Sequence, residues 1–220
     1  MPRVAIGLVG YYQFIRGYPL GPELRERLDG LAAPGCEVTI HEMNWGPIPI
    51  VQDFQASPVR YDRVVLIGAV DRGREAGAVT PRLWLGGALE VMAVQNRVFE
   101  AVTGIISLDN LLVIGAHFGI WPKELVVIEV QLSDNSIGEL VIDELQVNHD
   151  KGEVSIVGQY PLAPEARKVV DDTVELARQA VALGAGMPGL VPLSVEQLNP
   201  LAKVCHNQLI EDCVLRSPIN

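Results

Sequence analysis

Apolar positions along the chain follow two rhythms. Arg3 to Val9 is an aliphatic run stopped by Gly10, and Val64 to Val70 and Leu125 to Val130 repeat that pattern. Continuous apolar runs of this length read as strands buried on both faces. Glu37 to His41 sets Val38 and Ile40 among polar neighbours and reads as another strand, as does Val154 to Val157 after the turn at Asp150-Lys151-Gly152. Helical spacing governs the rest. Gly21-Pro22-Glu23-Leu24 opens a helix carrying Leu24, Leu28 and Leu31 to a stop at Pro34-Gly35; proline suits a first turn, and Glu23 complements the positive end. Ile106 to Phe118 reads as a helix closed by Gly119 and Pro122. Pro164 to Leu183 is amphipathic, with Val169, Val170, Thr173, Val174, Ala177, Ala180 and Val181 on one face.

Three polar or broken stretches separate these elements. Tyr11 to Pro19 is a loop, Trp45 to Pro49 carries two prolines and reads as loop or sheet edge, and Asp71 to Gly77 is a polar loop. Gly184 to Gly189 reads as a linker into a short helical tail, where Ser194 and Gln197 have capping-box spacing. The organisation expected is therefore a domain over 1–183 and a linker with tail over 184–220. Strands alternating with helices predict the α/β class, a three-layer α/β/α sandwich around a mainly parallel sheet. Ligands in such folds bind at the carboxyl ends of strands, which points to the loops Tyr11–Pro19 and Asp71–Gly77.

Composition narrows the classes. The 220 residues are 49% hydrophobic and 20% charged, the make-up of a globular chain with one substantial core. A net charge of −10 and a pI near 4.8 argue against binding nucleic-acid phosphates, which relies on Lys and Arg. Mean hydropathy is high, at +0.24. Yet the longest apolar stretch, Leu111 to Trp121, is interrupted by His117 and falls well short of the roughly 20 residues a spanning helix needs. The first residues lack a secretory pattern and three cysteines make no disulfide framework, so a cytoplasmic protein with reduced thiols is expected.

Several collinear segments carry a resemblance. Leu20-Gly21-Pro22-Glu23 closes the first loop, and Val64 to Gly73 is followed by Gly77-Ala78-Val79. Ser107-Leu108-Asp109-Asn110-Leu111-Leu112 and Gly119-Ile120-Trp121-Pro122-Lys123-Glu124-Leu125-Val126-Val127-Ile128 come after them. In this order the chain resembles the [NiFe]-hydrogenase maturation endopeptidases from about Arg3 to Leu183. Their segments read roughly G-N-x-L-x-x-D-E/D-G-x-G-P, D-A-V-D-x-G-x-x-P-G, H-x-x-G-L-x-D-L-L and G-x-x-P-K-E-V-x-L-I-G. The resemblance implies a protease that recognises nickel already loaded in a hydrogenase large-subunit precursor, through a carboxylate, an aspartate and a histidine, and removes a C-terminal tail. Such donors suit a borderline divalent ion that polarises the scissile carbonyl or activates water.

All three ligand positions depart from that pattern, falling on Tyr18, Gly68 and Gly104. Two glycines have no side chain, and a neutral tyrosine is a poor ligand. The reading is a catalytically degenerate homologue without a metal site or cofactor. It would bind the large subunit or its C-terminal tail as an assembly factor, with a cleft framed by Tyr11, Tyr12, Arg16, Tyr18, Gly68, Asp71 and Gly104. One alternative keeps an active endopeptidase with Asp71, Glu42 or His41 as displaced ligands, acting on nickel presented by the partner. Another places a small molecule in the vacated cleft, framed by Tyr18 and Arg16. Plainer roles compete. Asp71 suits a turn-bonding residue, and His41 and Glu42 are consecutive strand residues that point to opposite faces. His117 lies about 20 Å along the helix from Gly104, and Cys205, His206 and Cys213 lack finger spacing. Gly-x-Ser-x-Gly, P-loop and dinucleotide motifs are missing from the sequence.

Overall fold

The computed structural model describes residues 1–10, 14–15, 18–31, 33–87, 89–102, 107–131 and 164–201. Tyr11, Tyr12, Arg16, Gly104, the expected strand Val154–Val157 and the tail cysteines lie outside them. The strands are β1 (Arg3–Val9), β2 (Phe14–Ile15), β3 (Tyr18–Pro19), β4 (Glu37–Met43), β5 (Arg63–Val70), β6 (Val79–Gly86), β7 (Glu124–Gln131) and β8 (Val191–Ser194). The helices are α1 (Leu20–Leu28), α2 (Pro47–Ala56), α3 (Val91–Val102), α4 (Leu108–His117) and α5 (Pro164–Leu183).

Six strands form one sheet in the order β4-β1-β5-β7-β6-β8. The first four are parallel, β6 runs antiparallel to β7, and β8 lies parallel to β6. Alternate side chains build two cores. Val4, Ile6, Leu8, Val65, Ile67, Val126 and Ile128 pack beneath α1 and α5. Ala5, Val64, Leu66, Leu125 and Val127 pack beneath α2 and α4. A small cluster of Val51, Ala101 and Ile114 ties α3 to α2 and α4. This is the expected three-layer α/β/α sandwich. Gly7 lets β1 pack closely against its neighbours, since a Cβ there would lie 2.6 Å from the Met43 sulfur and 2.8 Å from Leu66 Cδ2 and would force those side-chain ends to shift. Arg63 closes the end of α5, donating to the carbonyls of Ala180 and Val181 while pairing with Glu124 at 2.6 Å. These bonds occupy carbonyls that a helix end otherwise leaves without partners.

Several elements differ from the sequence reading, among them α3, which it did not anticipate. Tyr11–Pro19 is not all loop, since β2 and β3 pair as an antiparallel ribbon. The two prolines around Ile48 begin a helix instead of ending order, because the N–H groups of a first turn have no helical acceptor in any case. β6 escaped notice because Pro81 interrupts it and most of its residues are only half-buried. β8 lies where a linker and helical tail were expected. Leu193 is fully buried there, and among the described residues the helical parts are two 3₁₀ turns, Gly184–Gly186 and Val195–Gln197, with Ser194 N–H donating to Gln197 Oε1. Among the described residues no helix is long and apolar enough to cross a membrane.

Candidate functional site at the carboxyl ends of β5 and β7

Strand register sets the site. Val9 of β1 lies beside Gly68 of β5, and Gly68 lies beside Glu129 of β7. Side chains at 68 and 129 belong to the face covered by α4. Glu129 is a carboxylate in an otherwise apolar strand and is 1% exposed. An unpaired charge so buried would cost several kcal/mol, so it must have partners. Three arginines supply them. Arg72, from the loop after β5, donates to Glu129 Oε1 through Nε at 3.1 Å and Nη2 at 2.8 Å. Arg74 Nη2 reaches Oε2 at 2.9 Å, and Arg82 of β6 stands 3.9 Å from the same oxygen.

The same Arg72 binds a second buried carboxylate. Its Nη1 and Nη2 donate to Asp109 Oδ2 and Oδ1 at 2.8 and 2.6 Å. Asp109 stands in the first turn of α4, where the helix dipole favours an anion. Ser107 caps that turn by accepting from Asn110 N–H at 3.0 Å. Asn199 completes the knot. Its backbone N–H donates to Asp109, its side-chain amide donates to the Asp71 carbonyl, and its Oδ1 accepts from Arg72. Burial disfavours the charge on Arg72, but the bonds and charges of Asp109 and Glu129 outweigh it and raise its pKa.

Asp71 is exposed. Its Oδ1 accepts from the Gln131 amide at 2.9 Å and from Gly73 N–H at 3.2 Å, and these bonds, Gln131 first, hold its carboxyl below the ordinary value. It braces its own loop, the plainer of its two expected roles. His41 Nε2 lies 2.8 Å from the Tyr61 hydroxyl, and its ring meets those of Phe54 and Tyr61, beside a hollow of about 60 Å³. Burial lowers the His41 pKa against the opposing charge of Asp53. Glu42 instead pairs with Arg25 of α1 at 3.5 Å. The two neighbours therefore serve opposite faces of the sheet, and Asp71 has other partners; nothing in this geometry joins His41, Glu42 and Asp71.

Gly68 does not leave a large hollow. A Cβ there would meet Leu108 at 3.4 Å and Val9 at 3.5 Å. The nearby cavity, between β1, β5 and α1, measures about 10 Å³, the lower limit for a single water. Among the described residues no three His, Cys, Asp or Glu side chains are grouped to hold a metal ion. Glu129, beside Gly68 in register, and Asp109, in the first turn of α4, are taken by guanidinium groups, and Asp71 is held by Gln131 and Gly73. These residues do not fit a divalent ion.

The roles of Arg72, Arg74, Arg82, Asp109 and Glu129 were not read from sequence. One signal was available: a lone glutamate within Val126-Val127-Ile128-Glu129-Val130 demands a buried cationic partner.

No family model matches the chain, and no curated protein matches it. Several solved structures do. An endopeptidase from Escherichia coli shares 17% identity, with 82% of this chain and 93% of that one covered, at a TM-score of 0.47. A [NiFe] hydrogenase maturation protease HycI from Thermococcus kodakarensis KOD1 shares 17% identity over 82% and 92%, at 0.43. MTAN from Chlamydia trachomatis shares 10% identity over 82% and 100%, at 0.42. These are likenesses of chain path, and such a likeness does not carry an activity.

Proposed function

We propose that this chain is a catalytically degenerate, cytoplasmic relative of the hydrogenase maturation endopeptidases. In this reading it binds a [NiFe]-hydrogenase large subunit, or its C-terminal tail, as an assembly factor without cutting it. The partner comes from the resemblance of the ordered segments. The loss of catalysis rests on one observation: Gly68 stands at the strand end where an acid ligand is expected, and the neighbouring carboxylates are neutralised by Arg72, Arg74 and Arg82. A divalent ion would have to displace a guanidinium held by two parallel bonds. The chain supplies no cofactor chemistry in this reading; any nickel belongs to the partner. Val91, Met92, Phe99 and Val102 of α3 and Phe118 are exposed, and apolar groups of this kind are commonly covered by protein partners.

The test mixes purified protein with a nickel-loaded large-subunit precursor. Capture of the precursor with its tail intact is the expected result. Tail removal that a chelator abolishes would overturn the loss of catalysis, and failure to capture the precursor would overturn the choice of partner.

A further inference from the structure

We infer that the arginine cluster around Glu129 is an anion site whose ligand is a carboxylate group. Charge and hydrogen-bonding capacity both point that way. Three guanidinium groups, Arg72, Arg74 and Arg82, converge on two carboxylates, Asp109 and Glu129. Close by, Arg97 and Glu100 offset one another at 3.9 Å. Asp71, on the exposed rim, turns one oxygen to Gln131 and Gly73. Among the described residues the inner cluster therefore carries one positive charge in excess, with Asp71 outside it on the rim. It also has surplus donors: among the described residues Arg74 Nε, Arg82 Nε and Asn110 Nδ2 are buried without a hydrogen-bond acceptor, Arg82 Nε standing 3.9 Å from Glu129 Oε2. Buried donors nearly always find acceptors, and each exception calls for an explanation.

A planar carboxylate is the ligand that matches a guanidinium edge, with two acceptors for two parallel donors and one negative charge for the excess. Arg74 is the point of entry. A quarter of its side chain, 25%, is exposed, whereas Arg72 is 11% exposed and locked between two acids. Arg74 Nε is one of the donors left without an acceptor, and the incoming group is placed there. At the place where the family resemblance leads one to expect acids holding a cation, this chain presents cations holding acids, with room in the charge balance for one acid more. The inference goes beyond the assembly reading and does not require a hydrogenase partner.

Isothermal titration at constant ionic strength tests it, with acetate, chloride, a short acetylated peptide acid and the same peptide as its amide. Saturable binding of the carboxylates, with chloride and the amide at least about tenfold weaker, is expected. A peptide acid tighter than acetate identifies a chain terminus as the source, and equal affinities identify a free small acid; either outcome supports a carboxylate site. Arg74→Gln weakens acetate about tenfold, while Arg178→Gln, at an exposed pair on α5, leaves it unchanged. Heat that is the same for chloride and acetate, or Arg74→Gln binding acetate as wild type does, overturns the inference. Should Arg74→Gln fail to fold, the anion selectivity of the wild-type protein decides alone.

Discussion

Arg72 grips Asp109 through a two-pronged contact, Nη1 to Oδ2 at 2.8 Å and Nη2 to Oδ1 at 2.6 Å. Through it the loop after β5 is fastened to the first turn of α4, and the same guanidinium reaches into the sheet to Glu129. A planar fork can do this where a lysine, with one compact charge, cannot.

Removing Arg72 should therefore be costly. Arg72→Met strands Asp109 and leaves Glu129 with weaker partners, and losing one member of a buried pair costs about 3–5 kcal/mol. Urea unfolding of Arg72→Met checks this. Arg72→Met with Asp109→Leu should lose less than the two single changes added together, because the double variant leaves no acid stranded at 109.

Gly68 should tolerate a methyl group. Its would-be Cβ contacts at 3.4 and 3.5 Å are close to ordinary van der Waals distances, so Gly68→Ala should shift stability by no more than about 1 kcal/mol. Gly68→Asp restores one expected acid yet should not bind nickel in a calorimetric titration, since a single carboxylate is a poor site and its neighbours are held by arginine.

Gly115 should tolerate nothing. A Cβ there would lie 2.4 Å from ring carbons of Trp121, whose Nε1–H donates to the Leu112 carbonyl. Gly115→Ala forces the indole off α4 at a cost of about 1–3 kcal/mol, visible in urea unfolding and as a changed tryptophan emission maximum.

His41 sets a pH dependence. Burial lowers its folded pKa below the ordinary 6.5, against an opposing pull from Asp53. Between the folded value and 6.5 the unfolded chain binds the proton more readily, so stability rises with pH there. His41's contribution is full above about pH 6.5 and is lost as pH falls toward the folded value. Unfolding midpoints measured from pH 7.5 down to about 5 should decline, and His41→Gln should remove His41's share of that slope.

The cores of β1, β5 and β7, the amphipathic α5 and the glycine stop of α4 were legible because each is written in consecutive residues, as an unbroken apolar run, a helical stripe or a stop signal. So was the loop-bracing role of Asp71, whose Gly73 partner is two positions away. By contrast β6, with Pro81 and half-buried faces, and β8, four residues at the sheet edge, become strands only because a neighbour offers hydrogen bonds. The arginine cluster belongs to the same class. Arg72 meets its partners 37, 57 and 127 positions away. Sequence alone determined that Leu125 to Val130 is a buried strand; the lone charge of Glu129 within it was the unread signal of a cationic partner. Which cations neutralise it was decided only when strand register and the placement of α4 brought these side chains together, because charges act through distance in space.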